Sequence, residues 1–198
     1  MTVGVIKIGV GNTASVLFAL ERLGAKAVLT DDPRIVAECE RIILPGVGSA
    51  LFAMTALAEK GLSRAILEFA RPVMGVCLGQ QMFFDSSEEG DATGLGLFDG
   101  RVTRLKASRA TPAPHVGWSR LTKTKESALL EGVADGAYVY FVHSYVCPVS
   151  EATAATAAYG ETFCAAIENA KVWGCQFHPE RSGKAGARIL ANFLAAPC

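Results

Sequence analysis

No two of the six cysteines in this 198-residue chain (Cys39, Cys77, Cys147, Cys164, Cys175 and Cys198) form a C-x-x-C pair. Zinc-ribbon and thioredoxin-type readings fail without that spacing. Net charge is missing too: 19 basic residues offset 19 acidic ones, the wrong footprint for a nucleic-acid partner. No non-polar run exceeds the eight residues of 72–79. A spanning helix needs roughly 20, so no membrane association is expected. Lys7 interrupts the apolar N-terminus, and no small-residue cleavage site follows, so the stretch reads as a buried strand and not as a secretory signal. A cytoplasmic location with reduced thiols is the expectation. No repeat, low-complexity tract or long linker divides the chain, so residues 1–198 are read as one domain.

What is present is apolar. Hydrophobic residues make up 51% of the chain and charged residues 19%, which excludes intrinsic disorder. At this length roughly 70% of the unfolded surface is buried on folding, so no disulfide or metal staple is needed. The mean hydropathy of +0.30 is high for a soluble monomer. It points to an apolar face meant for a partner, or to an unusually apolar core.

The first half alternates short apolar runs with helical spacing. Strands are expected at 3–8, 27–29, 41–44 and 72–76, and helices at 12–23, 50–60, 62–70 and just after Cys77. Near-continuous apolar strands between helices imply a parallel sheet covered on both faces. The second half reads as strands at 102–106, 116–121, 138–142, 153–159, 164–168 and 172–177, closed by a helix at 183–194. The fold class is therefore α/β: one open, mixed but largely parallel central sheet flanked by helices, with extra antiparallel strands in the C-terminal half.

Gly75-Val76-Cys77-Leu78-Gly79 stands between a strand and a helix. G-x-C-x-G is the thiol version of the nucleophile elbow, where a sharp turn strains the nucleophile's backbone and flanking glycines let neighbouring chain come close. A helix N-terminus there favours a thiolate, and the Leu78 N–H faces a developing oxyanion. The plainer reading is a structural cysteine in a tight turn.

A thiol nucleophile needs a base, and only His115, His143 and His178 exist. His178 lies in Gln176-Phe177-His178-Pro179-Glu180 after a strand, with Glu180 two residues on and able to hold one imidazole nitrogen while the other faces Cys77. His143 has a core or binding reading. His115, in a proline-flanked segment, is expected at the surface or an interface.

Pro45-Gly46-Val47-Gly48-Ser49 ends the strand beside that of Cys77. Its Val47 or Gly48 N–H would add a second oxyanion donor. A rival motif is Gly9-Val10-Gly11-Asn12-Thr13-Ala14, which fits G-x-G-x-x-G/A, with Asp31 and Asp32 about twenty residues on for a ribose. It supports a nucleotide-binding module. A stand-alone cysteine hydrolase is the other alternative.

Together, Gly75–Gln81 and Gln176–Glu180 resemble the class I (triad-type) glutamine amidotransferases. Pro45–Ser49, His115-Val116-Gly117-Trp118 and Tyr140–Tyr145 resemble, among them, the glutaminase subunits of histidine biosynthesis. The resemblance runs the whole length. It implies that Cys77 attacks the side-chain amide of L-glutamine, His178 shuttles the proton and Glu180 orients His178. It also implies that Gln81, Glu89, Ser144 and Tyr145 grip the substrate. Ammonia would pass to a separate cyclase subunit, a (β/α)8 barrel in a heterodimer, that makes imidazole glycerol phosphate and aminoimidazole carboxamide ribotide. Asn12 and Trp118 are docking candidates, with Arg181 where such chains commonly carry lysine. No cofactor or metal is implied.

Overall fold

The computed structural model describes residues 1–9, 13–46 and 48–197. Its N-terminal half runs β1 (Thr2–Ile6), α1 (Thr13–Arg22), β2 (Lys26–Thr30), α2 (Pro33–Glu38), β3 (Arg41–Gly46), α3 (Ala50–Glu59), α4 (Leu62–Leu67) and β4 (Val73–Cys77). A single helical turn, α5 (Leu78–Gln81), leads into β5 (Phe84–Ser87), β6 (Ala92–Thr93) and β7 (Phe98–Arg104). Then come β8 (His115–Arg120), β9 (Thr122–Lys123), β10 (Tyr138–His143), β11 (Tyr145–Val146), β12 (Thr153–Tyr159), β13 (Glu161–Asn169), β14 (Val172–Cys175) and α6 (Gly183–Ala195).

The main sheet has the order β2-β1-β3-β4-β14-β13-β12-β9. β2, β1, β3, β4 and β14 are mutually parallel, and β13, β12 and β9 continue it antiparallel. This is the mixed, largely parallel sheet expected from the sequence. Its central strands feed two cores by alternation. Val3, Val5, Ile43, Met74 and Val76 face one side with Leu20, Phe163 and Phe193. Ile6, Ile42, Leu44 and Val73 face the other with Leu57, Ile66 and Phe83. Burial on both faces is why these strands lack polar alternation.

Local chemistry sets the helix ends. Asp32 caps α2 by accepting from the Arg34 N–H at 2.9 Å, with Pro33 at the first helical position. Ser49 caps α3 through the Phe52 N–H. α6 buries Gly186, Ile189, Leu190 and Phe193, a spacing that forms one stripe. At Gly186 a Cβ would lie 1.9 Å from the Pro179 carbonyl oxygen, so α6 seats directly on the 178–181 turn.

Two smaller sheets flank the mouth of the site: β8 paired antiparallel with β10, and β11-β7-β5-β6. Strands β5 and β6 lie in a stretch the sequence left unassigned, and the helix after Cys77 is only one turn long. His115 corrects a second expectation. It is 2% exposed, not at the surface. Its ring is stacked on Tyr159 at 4.0 Å and on Phe141 at 4.9 Å. Those partners lie far along the sequence, so the proline-flanked segment gave no sign of them.

Candidate active site

The sheet order brings three loops to one place. β3, β4 and β14 are consecutive neighbours, and at their carboxyl ends stand Gly46 and Gly48, Cys77–Leu78 and Gln176–Glu180. Open α/β sheets build their sites at such strand ends.

Cys77 adopts φ 56° and ψ −111°, a conformation L-residues rarely hold. Such strain costs about 1–3 kcal/mol and persists only when surrounding packing enforces it. The enforcing contacts are visible. A Cβ at Gly79 would lie 1.8 Å from the Leu44 carbonyl oxygen, and one at Gly75 2.6 Å from the Gln80 nitrogen. A Cβ at Gly46 would sit 2.8 Å from Leu78 Cβ, so the loop after β3 is pressed onto the same turn. Leu78 opens α5, and its N–H therefore has no acceptor within the helix.

His178 Nδ1 meets Glu180 Oε1 at 2.9 Å. Both side chains are buried, and Glu180 Oε2 has no hydrogen-bond partner. A carboxylate accepts, so Nδ1 carries the hydrogen and Nε2 is left for the Cys77 thiol. Burial draws the His178 pKa down, but hydrogen bonds and charge from Cys77 and Glu180 outweigh it and push it up to about 10. Cys77 Sγ also lies 3.6 Å from the Val142 carbonyl and 3.8 Å from Gln176 Nε2. A thiol beside an imidazole that a carboxylate holds can act as a nucleophile, with the imidazole moving its proton.

A cavity of about 240 Å³ opens onto Cys77 and His178, lined by Gly48, Leu78, Gln81, Glu89, Ser144 and Tyr145 among others. Every oxyanion and substrate residue expected from the sequence is therefore at this cavity, apart from Val47, which lies outside the described residues. Glu89 is not wholly free. One oxygen accepts from the Ala50 N–H at the start of α3 at 2.8 Å, while burial raises its pKa more than that bond lowers it. Gln81 is held by the Tyr145 carbonyl and by Gln176 Oε1, each at 2.9 Å.

His143, for which the sequence offers a core or binding reading, lines the cavity, and so does Val142, to which the sequence assigns no role; Gln176, likewise without a sequence role, stands behind the wall against Cys77. The clue to Gln176 was period two, because in an extended strand end residues 176 and 178 turn to the same side. His143 Nδ1 donates to the Tyr145 carbonyl at 2.9 Å, so its Nε2 accepts from His115 Nδ1 at 3.0 Å. Burial holds both imidazoles neutral, with pKa values lowered to about 4.

The docking candidates form a separate face. Trp118 is 53% exposed and meets Tyr140 edge-on at 5.7 Å, and Arg181 lies over the same Tyr140 ring at 5.6 Å. Val116, Tyr138 and Val142 are exposed on the same side of the β8–β10 pair. The face is tied to the site: the His178 N–H donates to the Tyr140 carbonyl at 2.9 Å. Asn12 lies outside the described residues. Of the rival nucleotide motif, residues 10–12 are likewise outside them. Its two acids are engaged elsewhere, Asp31 with Lys60 at 2.6 Å and Asp32 with Arg34 at 2.8 Å. Among the described residues no cluster of His, Cys, Asp and Glu is arranged to hold a metal, and no helix is long and apolar enough to cross a membrane.

A strained cysteine at a strand end, beside a His–Glu pair at the edge of a small cavity, defines an acyl-transfer enzyme of the thiol class. The family model described as "Glutamine amidotransferase class-I" matches residues 5–196, and the chain belongs to that family. A crystal structure titled as a glutamine amidotransferase superposes with TM-score 0.75 at 20% identity, covering 98% of this chain and 97% of that one. Two relatives are more specific. The chain is 46% identical to imidazole glycerol phosphate synthase subunit HisH of Xylella fastidiosa, over 97% of this chain and 96% of the relative. It is 42% identical to the subunit of the same name from Yersinia pseudotuberculosis, over 98% and 99%.

Proposed function

We propose that this chain is the glutaminase subunit of an imidazole glycerol phosphate synthase. It hydrolyses L-glutamine to L-glutamate and ammonia for histidine biosynthesis. The observation that carries the reading is the Cys77–His178–Glu180 arrangement at the junction of three strand ends, in a chain so similar to subunits of that name.

Glutamine lies in the cavity with its side-chain amide at Cys77. Gln81, Ser144 and Tyr145 bound it, and the free oxygen of Glu89 meets its ammonium group. Cys77 gives its proton to His178 Nε2 and attacks the amide carbon. The oxyanion is received by the Leu78 N–H, with Val47 or Gly48 as second donor. As the tetrahedral carbon collapses, His178 returns the proton to the leaving nitrogen, releasing ammonia and a glutamyl thioester. A water, deprotonated by His178, then attacks the thioester, giving glutamate and restoring the thiol. Glu180 fixes the tautomer throughout and stabilises the imidazolium.

The partner is a cyclase subunit with a (β/α)8 barrel, and the two form a heterodimer. The exposed side of β8–β10 is the docking face, with Trp118 as the aromatic anchor and Arg181 beside it. This face accounts for part of the positive mean hydropathy. Phe18, Leu51, Phe52, Leu67 and Val149 are also exposed, on other parts of the chain.

The test is ammonia release from glutamine, measured with and without the barrel subunit and its nucleotide ligand. Weak hydrolysis alone and strong stimulation by the partner are expected. Full activity without a partner and indifference to glutamine analogues would instead make it a stand-alone cysteine hydrolase.

A further inference from the structure

Behind the cavity wall runs a chain of two buried amides, Gln81 and Gln176, that ends on the nucleophile. It starts at the Tyr145 carbonyl, a group that can only accept. Gln81 Nε2 donates to that carbonyl at 2.9 Å and to Gln176 Oε1 at 2.9 Å. Cys147 Sγ stands 3.9 Å from the same Oε1 and donates to it. The remaining polar atom of Gln176, Nε2, lies 3.8 Å from Cys77 Sγ.

The direction of this chain is forced. Turning the Gln176 amide over would set its NH2 against the NH2 of Gln81. Turning Gln81 as well would set its oxygen against the Tyr145 carbonyl. The backbone carbonyl therefore decides, two side chains away, that a donor and not an acceptor faces the sulfur. Gln176 is fully buried, so water cannot stand in for its N–H.

We infer that Gln176 is a further catalytic residue, an N–H donor to Cys77 Sγ that favours the thiolate. The sulfur sits between opposed influences. The Val142 carbonyl at 3.6 Å is satisfied only by an S–H and favours the thiol. Gln176 offers a hydrogen, and His178 offers one once its Nε2 has taken the thiol's proton; both favour the thiolate. As the sulfur bonds to the substrate carbon it loses charge, and the Gln176 bond weakens. It regains strength when water releases the thiolate. The other titratable groups around the sulfur are His178 with Glu180, His143, Glu89 and Cys147. Substitution at 176 leaves all five in place.

The inference rests on the glutaminase reading for its effect on turnover, but not for its effect on the thiol. The experiment therefore measures both. Cys77 alkylation by iodoacetamide is followed against pH in the free protein, peptide by peptide by mass spectrometry, for wild type, Gln176→Leu and Gln176→Glu. Gln176→Leu is expected to raise the midpoint by about one pH unit, a tenfold loss of thiolate below it. Gln176→Glu, which keeps the length and the acceptor for Gln81 but sets a carboxylate against the sulfur, should raise it at least as far. With the barrel partner present, kcat for glutamine should fall about tenfold while KM stays within about twofold. Gln176→Glu keeps the test readable if Gln176→Leu does not fold. Unshifted midpoints in the folded variants overturn the inference, even if kcat falls, because a merely structural amide would leave the thiol's titration unchanged. Failure of wild type to turn over glutamine would defeat the glutaminase reading and leave the midpoints to decide this one.

Discussion

Replacing Gly79 by alanine tests whether the turn at Cys77 is held by backbone packing. A Cβ on residue 79 would lie 1.8 Å from the Leu44 carbonyl oxygen and 2.9 Å from its carbon, and real Cβ atoms essentially never approach under 3.0 Å. Both atoms belong to the backbone of β3, a central strand, so no side chain can swing away. α5 must instead retreat from β3 by about 1 Å, and a misplacement of that size at a catalytic group costs about a hundredfold in rate. Residue 79 is two positions from Cys77 and one from the Leu78 N–H, so nucleophile and oxyanion donor move together. Overpacking of this kind also destabilises by about 1–3 kcal/mol. The assay is kcat for ammonia release at saturating glutamine with the barrel partner, alongside the melting temperature. Gly24→Ala is the control. Gly24 also has a positive φ, +74°, but nothing lies within 4 Å of its Cβ position, so stability should drop by about 1–2 kcal/mol with kcat unchanged. A folded Gly79→Ala protein with kcat within about threefold of wild type would refute the reasoning.

Stability should peak slightly below neutral pH. His143, buried neutral with its pKa lowered from 6.5 to about 4, contributes stability that is present above pH 6.5 and is lost as pH falls toward 4, by about 3 kcal/mol. His178, raised to about 10, contributes in the opposite sense: its share is full below 6.5 and is lost as pH rises through 10. Denaturant unfolding across pH checks this, and His143→Gln should make the acid side shallower while the alkaline side stays, because His115, also lowered to about 4, keeps its own share of the acid loss. An acid limb unchanged in that variant would contradict the assignment. Glu180→Gln removes the charge that supports the imidazolium and should lower kcat by about 10²- to 10⁴-fold, with partner affinity retained. Trp118→Ala should weaken binding to the barrel subunit by at least 1 kcal/mol in calorimetry while leaving unstimulated glutamine hydrolysis unchanged. Equal affinity would move the docking face elsewhere.

The parallel part of the fold was legible because its signal is local. β1, β3 and β4 are apolar runs bounded by glycine or proline, and each alternates with a helix whose spacing shows in the same window. The site was legible for a similar reason. Cys77 with Gly75 and Gly79 is a five-residue pattern, and His178 with Glu180 a three-residue one, so each half of the pair can be read in place. What joins them is the adjacency of β4 and β14, nearly a hundred residues apart. Residues whose meaning depends on distant partners were misread or passed over. His115 is buried because Tyr159 and Phe141 enclose it, and no window around residue 115 contains either. Within its motif Gln176 carries no visible role, since its partners Gln81 and Cys77 come from another strand end. Strands β5 and β6 are short and only partly apolar, so they carry almost no periodic signal.

The central claim is that Cys77 carries the glutamyl group between ammonia release and hydrolysis. The direct measurement is to mix the subunit and its barrel partner with isotopically labelled glutamine, quench in acid during turnover, and locate the label by peptide mass spectrometry. The account predicts a labelled glutamyl thioester on the Cys77 peptide, absent in Cys77→Ser. Ammonia release with no label on Cys77, or with the label on another residue, would contradict it.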